Sequence, residues 1–136
     1  MTIDFRHDDE EDLIRMTEEL AQAVEAIAKD NNLDYELTPT VHISRIPFHK
    51  TLVGHVRKAA EDLDIPHRDI VSGAGHDACH MAKVIPTTMV FIPCEDGISH
   101  NEAENITSDD SEAGCNVLCH AVMAAANMTQ DLELSS

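Results

Sequence analysis

The chain has 136 residues, of which 43% are hydrophobic but only 3% aromatic, so its length allows one modest domain or parts of two. Its 26 acidic residues outnumber the 9 basic ones, and a surface with a net charge of −17 repels nucleic-acid phosphates and anionic lipids. No apolar stretch reaches the roughly 20 residues that span a bilayer, and the first residues lack the basic-then-apolar pattern of a secretory leader. We therefore expect a cytoplasmic protein with no nucleic-acid or membrane partner.

The acidic residues are distributed along the whole sequence instead of forming one block. This distribution is typical of a hydrated surface, as in proteins of salt-loving organisms. A docking surface for a basic partner is the alternative interpretation.

The N-terminal part of the chain has a strand–helix–strand pattern. Residues 3–6 predict the end of a strand, and Asp8 or Asp9 can cap a helix that closes at residues 31–32. Apolar residues recur at helical spacing in between: Leu13, Met16, Leu20, Val24 and Ile27. Alternating apolar and polar residues over 35–44 then predict a half-buried strand.

Pro47 interrupts this pattern, and we predict a domain boundary there. The elements predicted after it are a helix over 52–63, a strand over 69–71, a short helix over 77–83, a fully buried strand over 87–92 and a last helix that starts at 107–110 and frays at Asp131. The sequence therefore predicts an α+β piece over residues 1–46, an α/β piece over residues 47–130 and a frayed tail over residues 131–136. Two strands alone are marginal in water, so neither piece is expected to be a complete domain.

Four cysteines stand at Cys79, Cys94, Cys115 and Cys119. Their spacing fits no standard zinc pattern, and a cytoplasmic chain is not expected to form disulfides. We interpret them as small apolar side chains. A small metal-binding protein that combines these thiols with His76, His80 and His100 is a minor alternative.

Two turns that consist of small residues and a histidine are the candidate ligand-binding loops of the sequence. The first is Ser72-Gly73-Ala74-Gly75-His76-Asp77-Ala78, and the second is Gly97-Ile98-Ser99-His100. Glycines at a strand-to-helix turn expose backbone amides that suit a carboxylate, and a histidine that follows a buried strand is often a ligand or an acid–base group. Each turn taken alone is also compatible with an ordinary tight turn.

The order of these motifs resembles the C-terminal end of the hydantoinase/carbamoylase family of metal-dependent amidases. The resemblance also includes Asp4-Phe5-Arg6-His7, the run over 86–93, and Asn101 with Glu104 after His100. That family includes N-carbamoyl-L-amino-acid hydrolases, β-ureidopropionases and allantoate amidohydrolases. The resemblance implies that residues 1–46 end a lid or dimerisation domain and that residues 47–130 belong to a two-metal, aminopeptidase-like catalytic domain.

The resemblance also implies roles for individual residues. His100 matches the last ligand of the dinuclear metal centre, and Arg6 matches the lid arginine that grips the substrate carboxylate. Gly75 matches the glycine whose amide meets that carboxylate, with His76 in the substrate pocket. Ser72 and Asp77 have supporting roles. Cys94 and Glu102 depart from the serine and proline that are usual in the family.

The implied reaction is metal-assisted hydrolysis of linear amide or ureido C–N bonds in N-carbamoyl amino acids or allantoate-like substrates. The metal is Zn, Mn, Co or Ni, but only one ligand lies in this chain and no catalytic residue does. We therefore expect the chain to be inactive alone. It either pairs with a separately encoded N-terminal half or is the remnant of a truncated gene. The full-length family implies a homodimer. The alternative is a stand-alone, non-catalytic module that binds carboxylates or dimerises.

Overall fold

A computed structural model describes residues 1–127, which pack into two compact units. The first unit comprises Met1–Ile46 and Val71–Ala74, and the second comprises Pro47–Ile70 and the described residues from Gly75 onward. The regular elements in this part of the chain are α1 (Glu10–Asp30), α2 (Lys50–Asp62), α3 (Asp77–Met81), a 3₁₀ turn (Glu95–Gly97) and α4 (Ser108–Ala126). The four predicted helices are thus confirmed. No helix within residues 1–127 is both long and apolar enough to cross a membrane.

The division into domains stays a prediction. The two compact units describe how this chain packs, whereas the lid and catalytic assignments of residues 1–46 and 47–130 concern a larger fold. Residues 128–130 and the tail predicted over 131–136 lie outside the described residues.

The predicted strands are wrong for the described residues, and the α/β prediction is corrected to that extent. The four segments concerned are residues 3–6, 35–44, 69–71 and 87–92. A strand exists through hydrogen bonds to a neighbouring strand. Here the N–H of His49 donates to the Thr87 carbonyl at 2.9 Å, but no ladder continues from that bond within residues 1–127. These segments have the composition of strands without the partners that strands require.

In the first unit, local capping sets the limits of α1. The Asp9 side chain accepts hydrogen bonds from the backbone N–H groups of Glu11 at 2.9 Å and Asp12 at 3.2 Å, which satisfies amides that have no partner inside the helix. At the other end, the Leu33 N–H donates to the Ala28 carbonyl at 2.9 Å. Ala28 is buried, and one apolar stripe faces inward along the helix.

The Glu10 carboxylate links residues 42–45 to the first turn of α1. Its Oε1 lies 2.7 Å from His42 Nε2 and accepts a hydrogen bond from the Ser44 hydroxyl at 3.2 Å. The hydrogen bond from His42, with smaller contributions from the Arg45 amide and Ser44, holds the pKa of Glu10 below its ordinary value. Residues 42–45 are therefore held at the start of α1 by one carboxylate.

The second unit is built on the contact between α2 and α4. Its buried core consists of small side chains only: Ala59, Ala60, Val117 and Ala121. Half-buried apolar residues surround this core: Val56, Leu63, Ile65 and Val90. Small residues let the two helix backbones approach each other closely, so this contact depends on the absence of bulk.

Gly114 extends the same close contact. A Cβ atom at this position would overlap Cγ2 of Ile92, a branched side chain with little freedom to move. Gly54, in the middle of α2, has no atom within 4 Å of an added Cβ. The two helical glycines therefore form a matched pair that differs in packing.

We expect Gly114→Ala to lower the free energy of unfolding by about 1–3 kcal/mol, because overpacking at Ile92 outweighs the gain in helix propensity. Gly54→Ala should raise it by up to about 1 kcal/mol, since only the propensity changes. Urea denaturation followed by circular dichroism measures both values. Equal stabilisation by the two variants would contradict the close approach of α4 to Ile92.

We expect the pKa of Glu10, measured by carboxyl-carbon NMR, to lie below the value of about 4.3 found in unfolded peptides. Because the folded value is the lower one, the Glu10 contact stabilises the fold fully above pH 4.3 and is lost as the pH falls through the folded pKa. In His42→Ala the pKa should rise towards the unfolded value. His67→Ala, an exposed histidine of the second unit, is the control and should leave it unchanged. An unchanged Glu10 pKa in His42→Ala would refute the contact.

Candidate functional site

The segment Ser72–Ala78, here called the glycine loop, is held by short local contacts. Ser72 Oγ accepts a hydrogen bond from the Ala74 N–H at 3.1 Å. Neither Gly73 nor Gly75 has a positive φ, so the loop does not use the left-handed freedom of glycine. Gly75 is instead open: a Cβ added there would meet no atom within 4 Å. The space beside its backbone is the feature that suits a ligand.

Arg6 already grips a carboxylate in the first unit. Its Nη2 lies 2.7 Å from Asp4 Oδ2, and its Nε lies 3.2 Å from the same oxygen. Nη1 donates to the backbone carbonyl of Gly73. The bond and charge of Arg6 lower the pKa of Asp4, and Asp4 raises the pKa of Arg6. Nε also lies 3.3 Å from Asp4 Oδ1, so the guanidinium contacts both oxygens of this carboxylate, with its shortest bond to Oδ2.

His76 and Asp77 lie in the second unit, at the start of α3. The His76 ring packs edge-on against Phe91, with 5.4 Å between the ring centroids and an interplanar angle of 67°. Asp77 and His80 are exposed, and α3 contains only five residues. Such a short helix adds little dipole to an anion site.

His100 is presented by a loop that fixes its own shape. The loop runs from Cys94 to Ile106, and its ends are joined by the Glu95 N–H, which donates to the Asn105 carbonyl at 2.8 Å. His100 itself has a left-handed backbone with φ of 54°, and its side chain is exposed. Non-glycine residues adopt this conformation infrequently and need support from their surroundings.

Glu104 supplies that support. Its Oε2 accepts a hydrogen bond from the His100 N–H at 2.8 Å, and its Oε1 lies 3.7 Å from Cys94 Sγ. Burial, followed by the charge and hydrogen bond of Glu104, raises the pKa of the Cys94 thiol. In the sequence, Glu104 stands out only as a member of the motif after His100, which assigns it no role. Because every residue except proline has a backbone N–H, the identity of residue 100 does not indicate that Glu104 bonds to it. The spacing of four residues between His100 and Glu104 is the signal that could have predicted this contact.

The predicted site residues do not form a metal centre by themselves. Within residues 1–127 there is no group of three or more His, Cys, Asp or Glu side chains placed to hold a metal ion. A catalytic metal usually takes about three protein ligands. His100 alone therefore does not fit such an ion, and the alternative of a small metal-binding protein finds no converging ligands in this part of the chain. The open groove at the start of α4, lined by residues 106–108, 111, 112 and 115, contains none of the predicted site residues.

Comparison with protein families matches residues 14–124 to peptidase family M20/M25/M40. Among curated proteins, the N-carbamoyl-L-amino-acid amidohydrolase of Rhizobium meliloti is 40% identical over 129 residues, which cover 95% of this chain and 31% of the relative. The allantoate amidohydrolase of Escherichia coli K12 is 35% identical over 117 residues, covering 86% of this chain and 28% of the relative. The chain thus spans about 30% of the length of these relatives.

Solved structures agree with this relationship. A hydantoinase/carbamoylase family amidase from Burkholderia multivorans superposes with a TM-score of 0.87 at 48% identity, over 90% of this chain and 30% of that one. An amidohydrolase/peptidase from Burkholderia cenocepacia gives a TM-score of 0.83 at 41% identity over the same shares of the two chains. The arrangement of this chain therefore occurs within proteins about three times as long.

Replacing Glu104 separates its two contacts. In Glu104→Ala we expect severalfold faster hydrogen exchange at the His100 amide, because the acceptor of its N–H is removed, and faster alkylation of Cys94 at pH 8, because a lower thiol pKa gives more thiolate. Glu104→Gln keeps an oxygen acceptor but not the charge. It should therefore leave the His100 amide protected while Cys94 still reacts faster. Identical exchange at His100 in the two variants would show that Glu104 does not support the loop.

Proposed function

Because the chain belongs to peptidase family M20/M25/M40, we propose that it is the C-terminal portion of a metal-dependent amidohydrolase. The proposed reaction is hydrolysis of linear amide or ureido C–N bonds in N-carbamoyl amino acids or allantoate-like substrates. The observation that carries it is the similarity, over 95% and 86% of the chain, to an N-carbamoyl-L-amino-acid amidohydrolase and an allantoate amidohydrolase. Since the chain spans about 30% of each relative, the activity belongs to a longer assembly.

We assign the substrate carboxylate to Arg6, Gly75 and His76. The grip of Arg6 on Asp4 supports its part, since it places two guanidinium nitrogens within 3.2 Å of one carboxylate oxygen. The open space beside Gly75 supports a close approach to its amide. Ser72 orders the glycine loop through Ala74, and Asp77 begins α3. In this proposal residues 1–46 belong to the lid domain and residues 47–130 to the catalytic domain.

We assign His100 as one ligand of a divalent metal whose other ligands come from outside this chain. The self-supporting loop around His100 is the observation in favour, because the hydrogen bond to Glu104 fixes the His100 backbone before any ion binds. A single imidazole does not select among Zn, Mn, Co and Ni. The ligand set is incomplete here, so the chain alone should lack amidase activity.

The proposal predicts no turnover of N-carbamoyl amino acids by the purified chain. Co-expression with the part of the Rhizobium meliloti amidohydrolase outside its match to this chain should produce activity, measured as release of ammonia or free amino acid. In that complex His100→Ala should lower kcat/KM by about a hundredfold or more, as loss of a metal ligand or its support does. His67→Ala is the control and should retain activity within about twofold, the range expected of an exposed surface change.

Two outcomes would contradict the proposal. Turnover by the isolated chain would show that its own residues suffice for catalysis. Tight binding of an N-carbamoyl amino acid by the isolated chain, with no activity in any stable complex, would favour the alternative of a non-catalytic carboxylate-binding module.

A further inference from the structure

Helix α4 is apolar on two opposite faces, and only one of them is covered. The covered face carries Val117 and Ala121, which are 5% and 6% exposed and pack against α2. The opposite face carries five apolar side chains at i, i+3, i+4, i+7 and i+8 spacing: Cys115, Leu118, Cys119, Val122 and Met123. We call these five residues the outer face of α4.

The outer face lies open to solvent. Leu118 is 52% exposed, Val122 57% and Met123 59%, and the two cysteines are also exposed. A surface helix normally has one apolar stripe and a polar back, as α1 does, whereas a helix that is apolar all round lies between two layers of a protein. After its acidic first turns, α4 therefore has the composition of an interior helix.

The charge pattern supports this conclusion. The whole chain carries 26 acidic residues and a net charge of −17, yet residues 113–126 contain no Asp, Glu, Lys or Arg. A helix that faced water on one side would be expected to share the acidic character of the rest of the surface. Instead, none of the last 14 residues of α4 is an Asp, Glu, Lys or Arg. This absence of charged side chains favours burial of both the covered face and the outer face.

The occupant follows from the length of the relatives. The Rhizobium meliloti relative matches this chain over only 31% of its own length, so more than two thirds of the family protein has no counterpart here. We propose that the outer face of α4 is an interface for that remaining part of the family fold. This inference rests on the proposed function for the identity of the partner, and it adds the surface on which the partner docks.

The test uses the complex with the part of the Rhizobium meliloti amidohydrolase outside its match to this chain. Iodoacetamide labelling is followed for each cysteine by mass spectrometry, in the chain alone and in the complex. We expect labelling of Cys115 and Cys119 to slow by about tenfold or more on complex formation, because burial of the outer face excludes the reagent.

A pair of matched variants provides a second readout. Leu118→Asp places a charge in the outer face and should weaken the complex by about tenfold or more. His120→Asp introduces a negative charge two residues away, on an exposed flank of α4 outside the outer face, and should change the affinity by less than about twofold. Circular dichroism of each variant alone confirms that α4 still forms.

Each of the following outcomes overturns the inference, the proposed function or both. Unchanged labelling of Cys115 and Cys119 in an active complex would remove the interface and leave the proposed function intact. Self-association of the chain alone that is abolished by Leu118→Asp would assign the outer face to a second copy. Slow labelling in the monomeric chain would assign it to residues 128–136. Failure to form any complex would overturn both proposals, whereas a protected but inactive complex would overturn only the proposed function.

Discussion

The second unit depends on the close contact between α2 and α4, and this contact depends on small side chains. Its core contains three alanines and one valine, and Gly114 lets α4 pass Ile92 without overlap. Close approach of two backbones maximises contact per residue but buries little apolar area per side chain. Such a core can position two helices without covering the larger apolar residues around it. Phe91 (43% exposed) and Leu118 (52% exposed) are two larger apolar residues of the same unit that this core leaves uncovered.

Features specified by neighbouring residues could be predicted from the sequence, and those specified by distant ones could not. Asp9 with the acidic turn after it, and Thr107 with Asp110, are local caps, and the helices begin where these residues stand. The strand over 87–92 was predicted from an equally clear apolar run. Its existence requires a neighbour along its edge, however, and composition carries no information on whether that neighbour is present. The helices were therefore confirmed, whereas the strands were not found in the described residues.

The same distinction applies to the candidate site. The sequence identified Arg6 and His100 through motifs, but it did not reveal what holds them. Arg6 is held by Asp4, two residues away, and His100 by Glu104, four residues away. Both contacts are local in sequence, yet many residue types at many spacings can accept a hydrogen bond from a backbone N–H or form an ion pair. The supporting residues thus become visible only when the atoms are placed.

The local character of these supports has a consequence for how the site assembles. The loop from Cys94 to Ile106 closes on itself through the Glu95 and Asn105 contact, so the left-handed backbone of His100 does not need any other element of the family fold. In the proposed site, a ligand whose backbone is already fixed loses less conformational freedom when the other ligands come together around the metal. A metal site also needs further ligands, and the loop from Cys94 to Ile106 contains only one imidazole. The proposals therefore divide the work: this loop fixes the backbone of the assigned ligand His100, whereas the other ligands and the cover of α4 are assigned to sequence that the longer relatives contain.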